Sequence, residues 1–306
     1  MAFCAVSQGN DIIVLMAMLQ HFKLLRPLQW SKNVFVFLPL FFDRKLTDMG
    51  VLWLTVIAAV AFSLAASAVY CLNDVLDREA DAKHPVKCKR PVASGALTVP
   101  TAIAMMVACA AVAMALAWWL LPWQAAAIIA AYMVVNVLYS TWLKHLSLVD
   151  VMVVAVFYVM RVMAGAAAGG IEPSSWIIIM TFLLALFLVL AKRRDDAMLR
   201  AAGQKEARRG TDLYNVEFLN LSLTLIATVT IVAYIMYTIS PEVMENFGNR
   251  YIYLTTVWVL AGIMRYMQLT IVEGRTGSPT RVLFKDRFVQ VCLLGWVVSF
   301  LFIIYG

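Results

Sequence analysis

Long apolar blocks alternate with short polar segments along this chain. Each block is about 20 residues long, which is the length that an α-helix needs to cross the hydrocarbon core of a bilayer. Because backbone groups cannot stay unpaired in lipid, blocks of this length are expected to be helices. The pattern predicts nine transmembrane helices, near residues 24–42, 51–73, 99–120, 123–141, 147–169, 175–191, 217–240, 251–269 and 288–305.

The composition is typical of a membrane protein. Of 306 residues, 63% are hydrophobic and 14% are charged, and the mean hydropathy is +0.83. A soluble domain is about half apolar and a quarter charged. We therefore expect one polytopic, all-α membrane domain over residues 1–306. Residues 1–20 lack a basic start and carry only a short apolar run, which favours an interfacial helix over a cleaved signal peptide.

The basic residues predict how the helices are oriented. The chain has 25 lysines and arginines and 18 acids, and most of the bases fall in the N-terminal segment and in every second loop. The exceptions are Arg44, Lys45 and Arg250 on the other side, and Arg161 and Arg265 within spans. By the positive-inside rule, the N-terminus and the even-numbered loops are cytoplasmic. The net charge of +7 is thus a topology signal, and we expect no nucleic-acid binding.

Two loops are long and charged, and both are predicted to face the cytoplasm. The first covers residues 74–98, and the second covers residues 192–216, beginning KRRDDAMLRAAGQKEARRGTDLYN. They follow the spans near 51–73 and 175–191, so each half of the chain places one polar cap on the same side of the membrane. These two cap loops are the candidate site.

The first cap loop opens with acids at a regular spacing. If the helix before it continues through Asp81, then Asp74, Asp77 and Asp81 fall on one stripe, since residues three, four and seven apart share a helix face. Three carboxylates on one stripe repel each other unless a cation lies between them. Their oxygens, with the amide of Asn73, suit Mg²⁺, which commonly bridges to substrate phosphates. The alternative is a solvated loop that carries acids without a ligand.

The segment NDVLDREAD, residues 73–81, resembles the first aspartate-rich motif of the UbiA-type intramembrane transferases. That resemblance implies nine transmembrane helices and a cytoplasmic cap under which an Mg²⁺-diphosphate binds. Most members carry a second motif of the form DxxxD after the sixth helix. Here Asp195 and Asp196 are present, but Leu199 and Arg200 stand where a second carboxylate is expected. The bases that precede these acids suggest a further phosphate to be held.

One branch of this family, the decaprenyl-phosphate phosphoribosyltransferases, is similar in these very features. The similar stretches are RPLQWSKNVFVFLPLF at 26–41, NDVLDREADAKHPVKCKRPVASG at 73–95, VLYSTWLK at 137–144, YVMRVMAGAAAG at 158–169 and LAKRR at 190–194. The resemblance implies a phosphoribosyl diphosphate donor, whose 5-phosphate would account for the surplus of bases. It also implies a polyprenyl phosphate acceptor, Mg²⁺ as cofactor and a place in the bacterial cytoplasmic (inner) membrane.

The resemblance also implies roles for individual residues. The implied metal ligands are Asn73, Asp74, Asp77 and Asp81, and the first three are also the implied catalytic residues, because they hold and orient the diphosphate while negative charge builds on it. The candidate substrate-binding residues are Lys32, Asn33, Lys87, Arg90, Tyr139, Lys144, Arg161, Lys192, Arg193 and Arg194. A lipid phosphate is already an anion near neutral pH, so catalysis is expected to be mainly positioning and electrostatics.

Arg161 is the most informative of these bases, because it lies near the middle of its span. A charge there costs about 3 kcal/mol on insertion scales and indicates function by default. Arg161 either holds a substrate phosphate or has a structural partner, which is Asp150, eleven residues earlier on the same stripe, or helix carbonyls. Lys32 has a comparable alternative, since its side chain can snorkel to the interface. Tyr214 is a further candidate whose alternative is interfacial anchoring.

Two other functions stay open at this point. A UbiA-type prenyltransferase would join a polyprenyl diphosphate to an aromatic or haem acceptor, but the missing second DxxxD argues against it. A transporter would carry charges deep in several spans, or broken helices in matching halves, whereas nearly all charges here cluster at one face. We therefore favour an enzyme, and the oligomeric state is left open.

Overall fold

The computed structural model describes residues 18–83, 87–201, 214–274 and 279–305, and this described part consists of helices and turns without a β-strand. The long helices, labelled α1 to α8 in chain order, are Met49–Leu76, Val99–Leu120, Trp123–Thr141, Val149–Gly169, Ser175–Ala201, Val216–Ile239, Thr256–Ile271 and Arg287–Tyr305. Shorter helical segments are Pro27–Phe37, Leu38–Phe42, Arg78–Ala82, Lys87–Lys89, Leu143–His145, Pro241–Phe247, Ile252–Thr255 and Pro279–Lys285, and residues 18–25 are also helical. The all-α prediction is confirmed. The predicted interfacial helix over residues 1–20 lies mostly outside the described residues.

Seven helices of the described part are long and apolar enough to cross a membrane, namely α1 to α6 and the stretch Ile252–Ile271 that contains α7. Helix α8 adds a shorter apolar stretch, Arg287–Ile303. The predicted number of nine is not confirmed, because the first predicted span is not one α-helix. It consists of a 3₁₀-helix, Pro27–Phe37, followed by the short α-helix Leu38–Phe42, each with a proline near its start. The chain is a multi-pass membrane protein.

Capping side chains explain where some long helices begin. Asp48 accepts a hydrogen bond from the N–H of Val51 at 3.2 Å just before α1, and Asn215 accepts one from the N–H of Phe218 at 2.7 Å just before α6. Such caps satisfy backbone donors that have no partner within the helix. The helices therefore begin where a polar residue precedes an apolar block.

The described residues up to Thr141, together with Met160–Glu172, form one compact unit, which we call unit 1. Helix α1 packs there along α2, α3 and the 3₁₀-helix Pro27–Phe37. The last part of α4 approaches that 3₁₀-helix closely, because a Cβ on Gly165 would lie 1.8 Å from the carbonyl oxygen of Val36. Glycine permits this approach of two backbones because it has no side chain.

Residues Trp142–Val159 and Pro173–Gly306 form the second compact unit, unit 2. Helix α5 packs there against α6, and α7 packs against α6 and α8. The indole N–H of Trp296 donates to the Tyr234 hydroxyl at 2.7 Å, and this hydroxyl shares a 2.7 Å hydrogen bond with Thr255. Buried polar contacts thus accompany apolar packing between these helices. The prediction of a single domain over the whole chain stays a prediction.

Candidate active site

A hydrophobic cluster brings three separate segments of unit 1 side by side. Its buried members are Leu24, Cys71, Val92, Leu97 and Ala102. The loop between Pro91 and α2 turns tightly, and Gly95 in that loop has a φ of 78°, a left-handed conformation that glycine adopts without strain. The cluster therefore fixes the segment before the 3₁₀-helix, the end of α1 and the loop before α2 beside one another, and a charged residue from each segment meets there.

The acidic stretch does not continue α1 as one helix, so that prediction is wrong. Helix α1 ends at Leu76, Asp77 leaves the helical conformation with φ −91° and ψ 5°, and a separate short helix covers Arg78–Ala82. Aspartate side chains compete with the backbone for hydrogen bonds and so favour helix ends. The N–H of Asp81 still donates to the carbonyl of Asp77 at 2.8 Å, so the turn of the chain is preserved across the break.

Two arginines and two of the predicted acids form a cluster of ion pairs, which we call the carboxylate–guanidinium cluster: Arg26, Asp74, Asp81 and Arg90. Nη2 of Arg26 donates to Oδ1 of Asp74. Nη1 of Arg90 donates to Oδ2 of Asp81 and lies 3.5 Å from Oδ1 of Asp74. Asp74 is only 1% exposed and Asp81 is 4% exposed. A buried charge is costly unless it is paired, so the guanidinium partners stabilise each carboxylate in place of water. The structure thus brings together Asp74, Asp81 and Arg90 of the predicted site.

Arg26 is a member of this cluster that the sequence-based prediction does not contain. Its backbone is left-handed, with φ 53°, immediately before Pro27. Its guanidinium also lies over the ring of Tyr70, 5.0 Å from the ring centre, where a cation–π contact is favourable. A base that precedes an apolar block has the pattern of an interfacial anchor, so nothing in the sequence pattern distinguishes Arg26 from one.

The oxygens around Asp74 fit a magnesium ion. Oδ2 of Asp74 is buried and has no hydrogen-bond partner, so a carboxylate oxygen is available to a cation. Asn73 and Asp77 lie beside it in the chain and are partly exposed. Within residues 18–83, 87–201, 214–274 and 279–305, no three acids, histidines or cysteines already converge on a metal position. Mg²⁺ suits such a site, because one or two carboxylates hold it and waters and substrate phosphates complete its coordination.

Polar side chains connect the 3₁₀-helix Pro27–Phe37 to α1. The indole N–H of Trp30 donates to Oγ of Ser67 at 3.0 Å, and Nδ2 of Asn33 donates to Oγ of Ser63 at 2.7 Å. Asn33, one of the predicted substrate-binding residues, is therefore buried and hydrogen-bonded inside unit 1. These contacts hold the 3₁₀-helix in place along α1.

Arg161 is buried in unit 1 and only 4% exposed. Its Nε donates to Oδ1 of Asn33 at 2.9 Å, and its Nη2 lies 3.5 Å from the Tyr132 hydroxyl. Its guanidinium also lies over the rings of Phe62 and Tyr132, at 4.9 and 5.3 Å from their centres. The suggested pairing with Asp150 is wrong, because α4 is one continuous helix and eleven residues span about 16 Å along a helix. Arg161 instead links α4 to the 3₁₀-helix, α1 and α3.

Asp150 has its own partners within unit 2. Nε of Arg193 donates to its Oδ2 at 2.8 Å, and the Tyr214 hydroxyl donates to its Oδ1 at 2.7 Å. The Tyr214 oxygen in turn accepts a 2.6 Å hydrogen bond from the N–H of Leu148, which has a left-handed φ of 62°. Burial, together with the hydrogen bond to Asp150, raises the pKa of Tyr214 above its usual value. Tyr214 thus anchors the residues before α6 to the start of α4.

The bases of the second cap loop lie on a helix. Helix α5 continues past the predicted end of its span at residue 191, and Arg193 and Arg194 are buried on it. Nε of Arg194 donates to Oδ1 of Asn220 at 2.6 Å, and its Nη1 donates to the carbonyl oxygen of Thr270 at 2.5 Å. Both arginines therefore connect elements of unit 2, and their predicted contacts with phosphate stay predictions.

The remaining predicted substrate-binding residues are distributed over both units. Lys32 and Lys87 are half-buried in unit 1, Tyr139 is buried at the end of α3, Lys144 is half-buried in the short helix Leu143–His145, and Lys192 is exposed on α5. Phosphate binding by each of them stays a prediction.

The family of this chain follows from its sequence similarity to known proteins. The family model described as UbiA prenyltransferase family matches residues 35–289, which is most of the chain. The chain belongs to the UbiA prenyltransferase family. The resemblance seen in the NDVLDREAD segment is thus confirmed, and this UbiA-family protein is a transferase.

Several relatives of this UbiA-family chain carry one name. A decaprenyl-phosphate phosphoribosyltransferase of Corynebacterium glutamicum is 30% identical over 292 residues, covering 92% of this chain and 86% of the relative. A protein of the same name from Mycobacterium tuberculosis is 31% identical over 286 residues, covering 90% of this chain and 91% of the relative.

A solved structure shows the same fold. The structure of a UbiA homolog from Archaeoglobus fulgidus bound to DMAPP and Mg²⁺ superposes with a TM-score of 0.69 at 18% identity, covering 93% of this chain and 99% of that one. At this identity the likeness establishes the fold alone.

Proposed function

We propose that this UbiA-family enzyme transfers 5-phosphoribose from phosphoribosyl diphosphate to a polyprenyl phosphate, using Mg²⁺. The products are a polyprenyl-phosphoryl-5-phosphoribose and diphosphate. We further propose that the protein lies in the bacterial cytoplasmic membrane with its N-terminus and the carboxylate–guanidinium cluster on the cytoplasmic side, where a sugar diphosphate is available.

One observation carries the proposal. Relatives named decaprenyl-phosphate phosphoribosyltransferase are about 30% identical to this chain over nearly its full length and nearly the full length of the relatives. The departure from a second DxxxD motif supports the same choice, because Leu199 and Arg200 stand at the positions where prenyl-transferring members carry acid.

The reaction requires one bond exchange at C1 of the ribose. The bond between C1 and the diphosphate oxygen breaks, and diphosphate leaves with the electron pair. An oxygen of the lipid phosphate forms the new bond to C1 from its own electron pair, so no proton has to be removed from the acceptor. The protein must therefore stabilise charge on the leaving diphosphate and hold two anions close together, which is a task of positioning and electrostatics.

The carboxylate–guanidinium cluster supplies groups for this task. Arg26 and Arg90 present guanidinium groups, which match phosphate oxygens in a fork of parallel donors. Each arginine contacts a buried carboxylate in the structure, and this supports a role for both beside a metal-bound diphosphate. We propose that both arginines donate to diphosphate oxygens once the donor is present.

A magnesium ion fits beside these arginines. When bound, it would neutralise the charge that develops on the leaving diphosphate. Asp74 would hold it through its buried Oδ2, with Asn73, Asp77 and Asp81 as the further oxygen donors.

A competition experiment tests the proposal against the prenyl-transferring alternative. Purified protein with Mg²⁺ receives phosphoribosyl diphosphate, geranyl diphosphate, a C50 polyprenyl phosphate and 4-hydroxybenzoate in one mixture. The proposal predicts that phosphoribose is transferred to the lipid phosphate and that 4-hydroxybenzoate is unchanged. Prenylated 4-hydroxybenzoate as the product would contradict the proposal and establish a prenyltransferase.

A further inference from the structure

The 3₁₀-helix Pro27–Phe37 sorts its residues into three straight rows. A 3₁₀-helix has three residues per turn, so residues three apart stand directly above one another, whereas in an α-helix they drift around the axis. Eleven residues is long for this conformation, since runs beyond about four residues are uncommon. The conformation of the first span therefore determines which side chains share a surface.

Between Leu28 and Val36, burial follows these rows. One row is exposed and contains Leu28, Ser31 and Val34, with Leu28 79% and Val34 60% exposed. A second row contains the half-buried Trp30 and the buried Asn33 and Val36, and its members contact α1 and α4. The third row is half-buried along its whole length, and we call it the amphipathic row: Gln29, Lys32 and Phe35.

The amphipathic row has the polarity of a phospholipid. Gln29 and Lys32 offer an amide and an ammonium donor at the N-terminal end of the row. Phe35 offers an apolar surface one turn closer to its C-terminal end. An anionic head group above an apolar chain matches the row in charge and in polarity.

The row also begins beside the carboxylate–guanidinium cluster. Arg26 immediately precedes the 3₁₀-helix and contacts Asp74. At a rise of about 2 Å per residue, Gln29 lies about 6 Å and Lys32 about 12 Å along the axis from Arg26. A lysine side chain and a phosphate group together can bridge that separation, so a head group on the row lies next to a diphosphate at the cluster.

We propose that the amphipathic row is the binding site for the phosphate of the lipid substrate. Lys32 pairs with the phosphate, Gln29 donates a hydrogen bond to it, and the first isoprene units lie against Phe35. The role of acceptor rests on the proposed function, but the binding of a lipid phosphate monoester at this row does not. Irregular backbone at membrane depth is tolerated where it is buried or lines a cavity, which agrees with a substrate surface along this segment.

Binding of farnesyl phosphate to the purified full-length protein in detergent tests the proposal. Lys32→Gln should weaken binding of farnesyl phosphate at least about tenfold. Binding of farnesol, which lacks the charge, and of inorganic diphosphate with Mg²⁺, which belongs at the cluster, should be unchanged. Inorganic phosphate should compete poorly, because it lacks the chain that lies along Phe35. Lys32→Gln with the affinity of the wild type for farnesyl phosphate would overturn the proposal.

A pair of relocated lysines tests the row itself. The double variant Gln29→Lys with Lys32→Gln keeps a lysine on the amphipathic row, and we expect it to recover binding to within about threefold of the wild type. The matched double variant Ser31→Lys with Lys32→Gln has the same composition of charge but places the lysine on the exposed row, and we expect no recovery. Equal recovery by both would overturn the proposal in favour of general attraction at the membrane surface.

The outcomes separate this inference from the proposed function. If the wild type binds farnesyl phosphate through Lys32 but transfers no phosphoribose, the proposed function fails and the binding site stands. If phosphoribose is transferred and Lys32→Gln binds farnesyl phosphate normally, the binding site fails alone. The melting temperature of each variant in detergent establishes that a lost signal is not a loss of folding.

Discussion

Replacing Arg161 by methionine is expected to destabilise unit 1 and not only to lower activity. The guanidinium of Arg161 is buried, donates to Asn33, approaches the Tyr132 hydroxyl and lies over two aromatic rings. Methionine has a similar length and shape, so the substitution removes the polar contacts without opening a large cavity. It also leaves Oδ1 of Asn33 without its charged donor in a buried position.

The size of the effect follows from these contacts. A hydrogen bond to a charged group contributes about 1.5–3 kcal/mol, and a desolvated guanidinium over a ring contributes about 2 kcal/mol. Removal of a buried charge offsets part of the loss, because its desolvation no longer has to be overcome. We expect a net loss of about 3 kcal/mol, in the range of a broken buried network. For a chain of this size the melting temperature should fall by about 5–10 °C.

Thermal unfolding in detergent tests this prediction. Asn33→Leu is the second single variant of a double-mutant cycle with Arg161→Met. Because Arg161 and Asn33 share a hydrogen bond, the double variant should lose at least about 1 kcal/mol less than the sum of the two single losses. If Arg161→Met melts within about 1 °C of the wild type while turnover disappears, Arg161 serves a substrate and the structural reasoning is refuted.

Three further predictions concern the acids and the close packing. Asp77→Ala should lower turnover at least about tenfold, whereas Glu79→Ala, which is exposed, should retain activity; an equal loss at both positions in the transfer assay would indicate a general need for loop charge. Asp150→Ala should destabilise the protein by about 3 kcal/mol, because it removes the carboxylate that accepts a 2.8 Å hydrogen bond from the buried Arg193, and an unchanged melting temperature would contradict this. Gly165→Ala would place a Cβ 1.8 Å from a backbone carbonyl oxygen and should cost about 1–3 kcal/mol. Gly262→Ala is its control, since the nearest side-chain atom there is 3.6 Å away, and equal melting of these two variants would refute the packing argument.

Helix positions were the most predictable feature of this protein. The blocks predicted at residues 99–120 and 123–141 coincide with Val99–Leu120 and Trp123–Thr141. An apolar run of membrane length has few alternatives to a helix, because its backbone groups must be satisfied within the segment. Polar residues and prolines at the ends of these blocks mark where the helices begin.

The structure differs from the sequence-based prediction where the local sequence does not reveal the tertiary partners of a segment. Helix α5 was predicted to stop before Lys192, because a run of charge normally ends a span, but Arg193 and Arg194 are buried against other parts of unit 2 and the helix continues. The 3₁₀ conformation of the first span was likewise not predictable, because 3₁₀ and α patterns of apolar residues differ little over three turns. Both features depend on tertiary partners that the local sequence does not reveal.

The sequence predicted both acids of the carboxylate–guanidinium cluster but only one of its two arginines. The spacing of Asp74 and Asp81 indicated that they act together, and Arg90 joins both carboxylates in the structure. Arg26 lies 48 residues from Asp74 in the chain, and its backbone turns in a left-handed conformation that no pattern of apolar residues encodes. A partner at such a distance along the chain is identified only by the folded structure.

The most direct test of the central claim is the mass of the lipid product. Purified protein, Mg²⁺, phosphoribosyl diphosphate and a C50 polyprenyl phosphate are incubated, and the lipid fraction is analysed by mass spectrometry, with Asp74→Asn and a magnesium-free sample as controls. We predict that the lipid phosphate gains one phosphoribosyl group, that diphosphate is released in equal amount, and that both controls leave the lipid unchanged. A lipid phosphate of unchanged mass after incubation with folded wild-type protein would contradict the account.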